Sequence, residues 1–207
     1  MAGFAVVDVE TTGLSPANDR IIEIGIVTLD SRGEFEAEWS SLVNPHRPVT
    51  AQFVHGISDD DVATAPSFSS LLPEVAALLE ERAVVAHNAA FDVGFLNASF
   101  SRAGFPVAIP AAAAVCTMEL SKIYLPAGRH SLVAAAERAG VVLEHHHRAL
   151  ADAWTAAELL RVYLASEGAG KRYSERAVSR RGEVTEPASW IEAQLAAMNL
   201  SWPKVLF

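Results

Sequence analysis

Phe4-Ala5-Val6-Val7-Asp8-Val9-Glu10 is an apolar run that ends in two carboxylates. Four apolar residues in succession, two of them β-branched, read as a buried strand. Successive side chains of a strand alternate in direction, so Asp8 and Glu10 project from one face, side by side. Two like charges at the end of an apolar strand are costly unless something compensates them, and a divalent cation does this best. The other reading leaves both acids in solvent beyond the strand end. The pair alone does not choose between the two.

Working outward, Thr11-Thr12-Gly13-Leu14-Ser15-Pro16 breaks the strand with turn residues. Residues 21–29 are rich in β-branched side chains. Ser31-Arg32-Gly33 turns the chain into residues 34–43, so three early strands are expected as an antiparallel meander. Ser58-Asp59-Asp60-Asp61 predicts a short helical turn with an acidic start. Residues 68–79 predict an amphipathic helix, and Ala83-Val84-Val85-Ala86 a short central strand. A helix over 90–103 is expected to close at Gly104, a further strand to lie at 115–117, and helices to span 131–138 (closed by Gly140) and 148–164. Strands first, then strands alternating with helices, give an α/β class: a mixed β-sheet flanked by α-helices.

After Ala165 the composition changes. Lys171, Arg172, Arg176, Arg180 and Arg181 crowd a polar stretch, read as a linker or arm over 166–187. Ser189-Trp190-Ile191-Glu192 fits a capping box. Ile191, Leu195 and Met198 then follow at one-face helical spacing, with Trp202 beyond, so 188–207 is expected as a short helix and tail, packed on the domain or presented to a partner. The expected organisation is therefore a main domain over 1–165, the arm, and this tail.

An apolar share of 51% beside a charged share of 20% excludes a disordered chain. No run approaches the roughly 18–20 apolar residues that cross a bilayer. A lone Cys116 excludes an internal disulfide framework, and the N-terminus carries no leader-like pattern, so a cytoplasmic protein with no membrane partner is expected. The net charge of −9 weighs against tight, sequence-blind binding along a duplex. It is compatible with a site that gathers carboxylates around divalent ions and grips only a strand end.

Two more acids lie where helices open. Asp92, in His87-Asn88-Ala89-Ala90-Phe91-Asp92, shares a helical face with Phe95, Leu96 and Ser99. Asp152 stands in the first turns of the last long helix, five residues after His147. Each alone could be an ordinary helix-start acid. Four hard oxygen donors on separate elements suit Mg²⁺ or Mn²⁺, and two such ions about 4 Å apart promote in-line displacement at phosphorus. A histidine suits the role of base for the attacking water. His145 and His146 read as loop residues, because adjacent side chains on an extended segment point apart. Cys116 reads as a small core residue, and Ser131 as an N-cap.

Asp8-Val9-Glu10-Thr11-Thr12-Gly13-Leu14, His87 to Asp92, and His147-Arg148-Ala149-Leu150-Ala151-Asp152 resemble, in order, the three motifs of the DEDDh 3′–5′ exonucleases. The resemblance is to the proofreading (epsilon) subunit type of bacterial DNA polymerase III in particular. It spans about residues 3–165 and takes in Ile21-Ile22-Glu23-Ile24-Gly25, Val54-His55-Gly56-Ile57 and His130-Ser131-Leu132. It implies a ribonuclease-H-like fold, with two metal ions held by Asp8, Glu10, Asp92 and Asp152, and His147 as general base. Thr11, Thr12, Gly13 and Leu14 would frame the terminal nucleotide, with His55 and Phe91 near it. The expected substrate is the 3′ end of a single strand, DNA before RNA, released as 5′-mononucleotides. A polymerase subunit is the expected partner, reached through the C-terminal tail. The rival readings are an RNA-directed or oligoribonucleotide-degrading exonuclease, a docking module with secondary catalysis, and a phosphodiesterase for small nucleotides.

Overall fold

In the computed structural model, residues 2–143 and 148–203 are described. The first apolar run forms β1 (Phe4–Thr11), paired antiparallel with β2 (Ile21–Leu29), which pairs antiparallel with β3 (Phe35–Leu42). The expected meander is present. Every residue of β2 is buried, as in a strand covered on both faces, whereas edge strand β3 is largely exposed and carries charge.

Three helices, α1 (Gln52–His55), α2 (Asp59–Val62) and α3 (Phe68–Leu79), lead to β4 (Ala83–Ala86), which pairs parallel with β1. The short helix expected at 58–61 is α2. Its Ser58 and Asp61 cap each other's backbone reciprocally. α4 (Ala89–Arg102) then crosses to β5 (Ala114–Cys116), parallel to β4. At its end Gly104 adopts φ +69°, and the amide of Phe105 donates to the Phe100 carbonyl, the paired bonding a left-handed closing residue permits.

The sheet order is β3-β2-β1-β4-β5, mixed and flanked by helices, the ribonuclease-H-like α/β arrangement. The remaining elements are α5 (Thr117–Tyr124), α6 (Leu132–Ala139), α7 (Ala149–Gly168), a hairpin of β6 (Ala177–Val178) and β7 (Val184–Thr185), and α8 (Trp190–Met198). The strand expected at 115–117 ends at Cys116. Thr117 instead opens α5, because its buried hydroxyl turns back to the Ala86 carbonyl and the His87 ring. The long α7 packs across β1 and β2, and this contact, more than any other, builds the site.

The stretch read as an arm contains the end of α7 and the small hairpin. Within it the Tyr173 amide donates to the Ile123 carbonyl, Lys122 reaches the Val178 carbonyl, and Arg172 pairs with Glu167 and Glu175. The capping box expected at Ser189 does not form. Ser189 has helical angles (φ −58°, ψ −17°) and its side chain caps nothing. A capping residue needs extended angles, and here the chain has already turned at Ala188 (φ +53°), whose amide donates to the Tyr124 hydroxyl. α8 buries Trp190, Ala193, Gln194 and Ala197 against the main core. The spaced residues Ile191, Leu195 and Met198 face outward.

Candidate active site

The site begins where β4 stops. β1 and β4 pair only from Phe4↔Ala83 to Val6↔Val85, so the last five residues of β1 run past this pairing. Three residues after Ala86, α4 starts, and its inward face carries Asp92 with Phe95, Leu96 and Ser99, all buried as expected. The amide of Val9 donates to Oδ1 of Asp92 at 3.3 Å. A strand amide that would otherwise lie buried without a partner thereby fixes the carboxylate.

On the other side of β1, Asp8 lies opposite Gly25 and Glu10 opposite Glu23. Directly opposed residues of an antiparallel pair share a face. Gly25 therefore leaves a gap beside Asp8, and the first turn of α7 fills it. A Cβ at position 25 would stand 2.4 Å from the Leu150 nitrogen and 2.5 Å from the Ala149 carbonyl carbon. That close approach brings Asp152, the fourth residue of α7, to the strand end. Oxygens of Asp8, Glu10 and Asp152 lie within 4.8 Å of one another. Asp8 and Glu10 are half-buried, whereas Asp92 and Asp152 are buried.

The electrostatics follow from this crowding. Burial is the largest cause raising the Asp8 carboxyl well above its ordinary range; the charges of Asp92, Asp152, Glu10 and Glu23 add to it. Burial, then Asp152 and Glu23, push Glu10 up to about 7, with Arg148 opposing. Asp92 is raised chiefly by burial, against the lowering hydrogen bond from Val9. A nearby guanidinium, that of Arg148, is committed to Glu23, with Nη2 at 2.7 Å and Nε at 3.0 Å from Oε1. Among the described residues the donor set of Asp8, Glu10 and Asp152 is all oxygen and clustered, and it fits a hard divalent cation.

The loop after β1 is tightly built. The Thr11 hydroxyl donates to the Gly13 carbonyl at 2.7 Å; the Thr12 amide donates to the Arg20 carbonyl, and the Thr12 hydroxyl accepts from the Arg20 amide and reaches Asp19. The Thr50 hydroxyl donates to the Thr12 carbonyl at 2.6 Å, tying this loop to the segment leading into α1. Out of that packing Leu14 protrudes, 86% exposed. His55 is buried, its Nδ1 accepting from the Ile57 amide. Phe91 is half-buried with its ring 4.8 Å from Phe95. His87 bridges the Thr117 hydroxyl and the His130 carbonyl, so the second motif meets the lesser element at His130. The expectations for His145, His146 and His147 lie outside the described residues.

Sequence reasoning assigned no role to Glu23, Gly25 or Arg148. The signal was a lone acid in Ile21-Ile22-Glu23-Ile24-Gly25, since a charge in a fully apolar strand persists only when paired.

Residues 5–160, well over half of the chain, match the family RNase_T, described as Exonuclease. The chain is 36% identical over 167 residues to the PolC-type DNA polymerase III of Streptococcus suis (strain 98HAH33), covering 79% of this chain and 11% of that protein. It is 38% identical over 160 residues to the PolC-type enzyme of Oceanobacillus iheyensis, covering 76% and 11%. Among solved structures, E. coli exonuclease I with a dT13 oligonucleotide aligns with a TM-score of 0.69 at 15% identity, covering 82% of this chain and 42% of that one. The zinc-ion-bound form of the same enzyme with single-stranded DNA gives 0.72 at 16% identity, with the same coverage. The chain thus spans about a tenth of its polymerase relatives and under half of exonuclease I.

The family match, on this ribonuclease-H-like sheet, makes the chain a nuclease, a phosphodiester hydrolase. The chain belongs to the RNase_T exonuclease family. Members of this family work with divalent metal ions, and the carboxylate cluster has the composition such ions require.

Proposed function

We propose that this chain is a 3′-to-5′ exonuclease that trims single-stranded or frayed DNA ends to 5′-mononucleotides. One observation carries the reading: Asp8, Glu10 and Asp152 converge within 4.8 Å, with Asp92 fastened to the same strand through Val9. The four acids would hold two Mg²⁺ or Mn²⁺ ions. When bound, such ions supply Lewis acidity toward the phosphate and a nucleophilic water near neutral pH. The protein's own part is positional. Asp8, Glu10 and Asp152 fix one set of donors on the strand and α7, and Asp92 adds a donor from α4. His147 takes the proton of the attacking water, an assignment that rests on the third motif. Thr11, Thr12, Gly13 and Leu14 form the rim on which the terminal nucleotide sits, with exposed Leu14 against its base; His55 and Phe91 flank it.

The test uses a 5′-labelled oligonucleotide with Mg²⁺ and the purified Asp8→Ala and Asp152→Ala proteins. Each variant is expected to lose on the order of 10²–10³-fold in rate. Wild-type trimming by either one refutes the mechanism. Matched DNA and RNA oligomers decide the sugar preference.

The polymerase relatives favour a polymerase partner, and the outward Ile191, Leu195 and Met198 of α8 are the surface we assign to it. Because Trp190 of the same helix is in the core, deleting the tail would damage the fold. Glutamates at 191, 195 and 198, scored by capture of a polymerase subunit, test the contact with the domain intact. We assign the protein to the cytoplasm: it has one cysteine, and among the described residues no helix is long and apolar enough to cross a membrane.

A further inference from the structure

We infer that Glu23 and Arg148 are a positioning pair, which sets the first turn of α7 and so holds the Asp152 carboxylate at metal-binding distance from Asp8 and Glu10. The inference rests on the reading of these acids as metal ligands.

A helix start leaves its first amides without intrahelical partners, and the residue before the helix commonly caps one of them. At α7 that residue is Arg148, and its side chain caps nothing. The cap comes from another element: Oε2 of Glu23, on β2, accepts from the Ala149 amide at 3.0 Å. Its other oxygen takes the Arg148 guanidinium at 2.7 and 3.0 Å. One buried carboxylate therefore grips the helix start by both its backbone and its N-cap side chain. Glu23 is 4% exposed and every neighbour along β2 is buried, so the grip is enclosed on the strand side.

The connection to the ligand is short. The Asp152 amide donates to the Arg148 carbonyl at 3.0 Å, in the first helical turn. A shift at 148 is carried directly into 152. Glu23 also lies opposite Glu10 in the β1–β2 register, so the same carboxylate that grips α7 belongs to the rung bearing a second ligand. With both oxygens engaged, Glu23 is kept from turning into the cluster as a competing donor. Residues that orient metal ligands in this way typically change metal affinity or activity by about 10–100-fold when replaced.

The experiment compares wild type with Glu23→Gln, Arg148→Ala, the double variant and Asp152→Ala. Mn²⁺ binding to the full chain without nucleic acid is measured by titration calorimetry. Thermal melting, kcat, and KM for a dT oligonucleotide are measured alongside. Glu23→Gln and Arg148→Ala are each expected to weaken Mn²⁺ binding by about 10–100-fold, with kcat partly restored at high Mn²⁺ and KM for the oligonucleotide unchanged. The double variant should be no worse than the worse single one, the signature of residues acting as a unit. Wild-type Mn²⁺ affinity in both single variants, with Asp152→Ala defective, overturns the positioning role and leaves the metal reading standing. Wild-type affinity in Asp152→Ala overturns the metal reading itself. Arg148 is largely exposed, so Arg148→Ala decides the matter even where Glu23→Gln melts too low to titrate. A raised KM for the oligonucleotide with unchanged metal binding in Arg148→Ala makes this arginine a phosphate contact and also overturns the inference.

Discussion

α4 and α7 begin alike and are anchored differently. Each delivers an aspartate as its fourth residue, buried against the end of β1, and neither has a side-chain cap from its own preceding residue. At α4 the ligand is also the fastener, because Asp92 itself accepts the Val9 amide. At α7 the fastening is done by Glu23, from a neighbouring strand, and by the missing side chain at Gly25. Asp92 is fastened through its own carboxylate to the strand, whereas the helix that delivers Asp152 is gripped at its start by Glu23. The two aspartates should therefore respond differently to removal.

Both substitutions should abolish most activity, and they should part company in stability. Asp152→Ala leaves the Glu23 grip in place and relieves repulsion on Asp8 and Glu10, so its metal-free melting temperature should fall less than that of Asp92→Ala. Asp92→Ala leaves the buried Val9 amide without its partner, a loss of about 1–3 kcal/mol, offset in part by relief of the charge felt at Asp8. Melting curves in chelator, beside oligonucleotide trimming with Mg²⁺, check both halves. Equal stability losses in the two variants would break the distinction between the helix starts.

Next in size is Gly25→Ala. The added methyl would meet the backbone of Ala149 and Leu150, which cannot rotate away as a side chain end can. Overpacking of this kind costs about 1–3 kcal/mol, and relief requires the start of α7 to lift. Activity should fall more than stability alone explains, because Asp152 travels with the helix. A crystal structure or amide exchange at residues 149–153 would locate the shift, and unchanged exchange there with normal activity would remove Gly25 from the account.

Much of this was legible in the chain. The meander, the short central strand, and the inward face of Asp92 with Phe95, Leu96 and Ser99 follow from alternation and helical spacing, and each is found in the structure. Less legible was anything set by tertiary contact. Gly25 looks like a weak point in a strand until α7 is seen pressed against it. Glu23 announced itself as a charge among isoleucines, yet nothing local names Arg148, 125 residues away, as its partner. At α8 periodicity grouped Ile191, Leu195 and Met198 on one face, to be packed on the domain or presented to a partner, and the helix inters Trp190, Ala193, Gln194 and Ala197 instead. Ala193 and Ala197 present small side chains on the face that packs toward β4 and β5, with Trp190 buried beside them. Spacing identifies a face without saying which face wins.

The smallest expected effect is a pH dependence that reads the crowding directly. Burial and like charge raise the Glu10 carboxyl from 4.5 to about 7 in the folded chain. Between those values the folded protein keeps a proton that the unfolded chain has released. Stability is therefore greatest below about 4.5 as far as this group is concerned, declines as pH rises, and is lost once pH passes the folded value near 7. Asp8 and Asp92 are shifted in the same direction and deepen the slope. Metal-free melting temperature should fall by a few degrees across this window, and saturating Mn²⁺ should flatten the curve by supplying the missing positive charge. Asp152 is the foremost charge acting on Glu10, so Asp152→Asn should flatten it without metal. A metal-free profile that is level through pH 7, or one that Asp152→Asn leaves untouched, would mean that the α7 acid is not electrostatically joined to the strand.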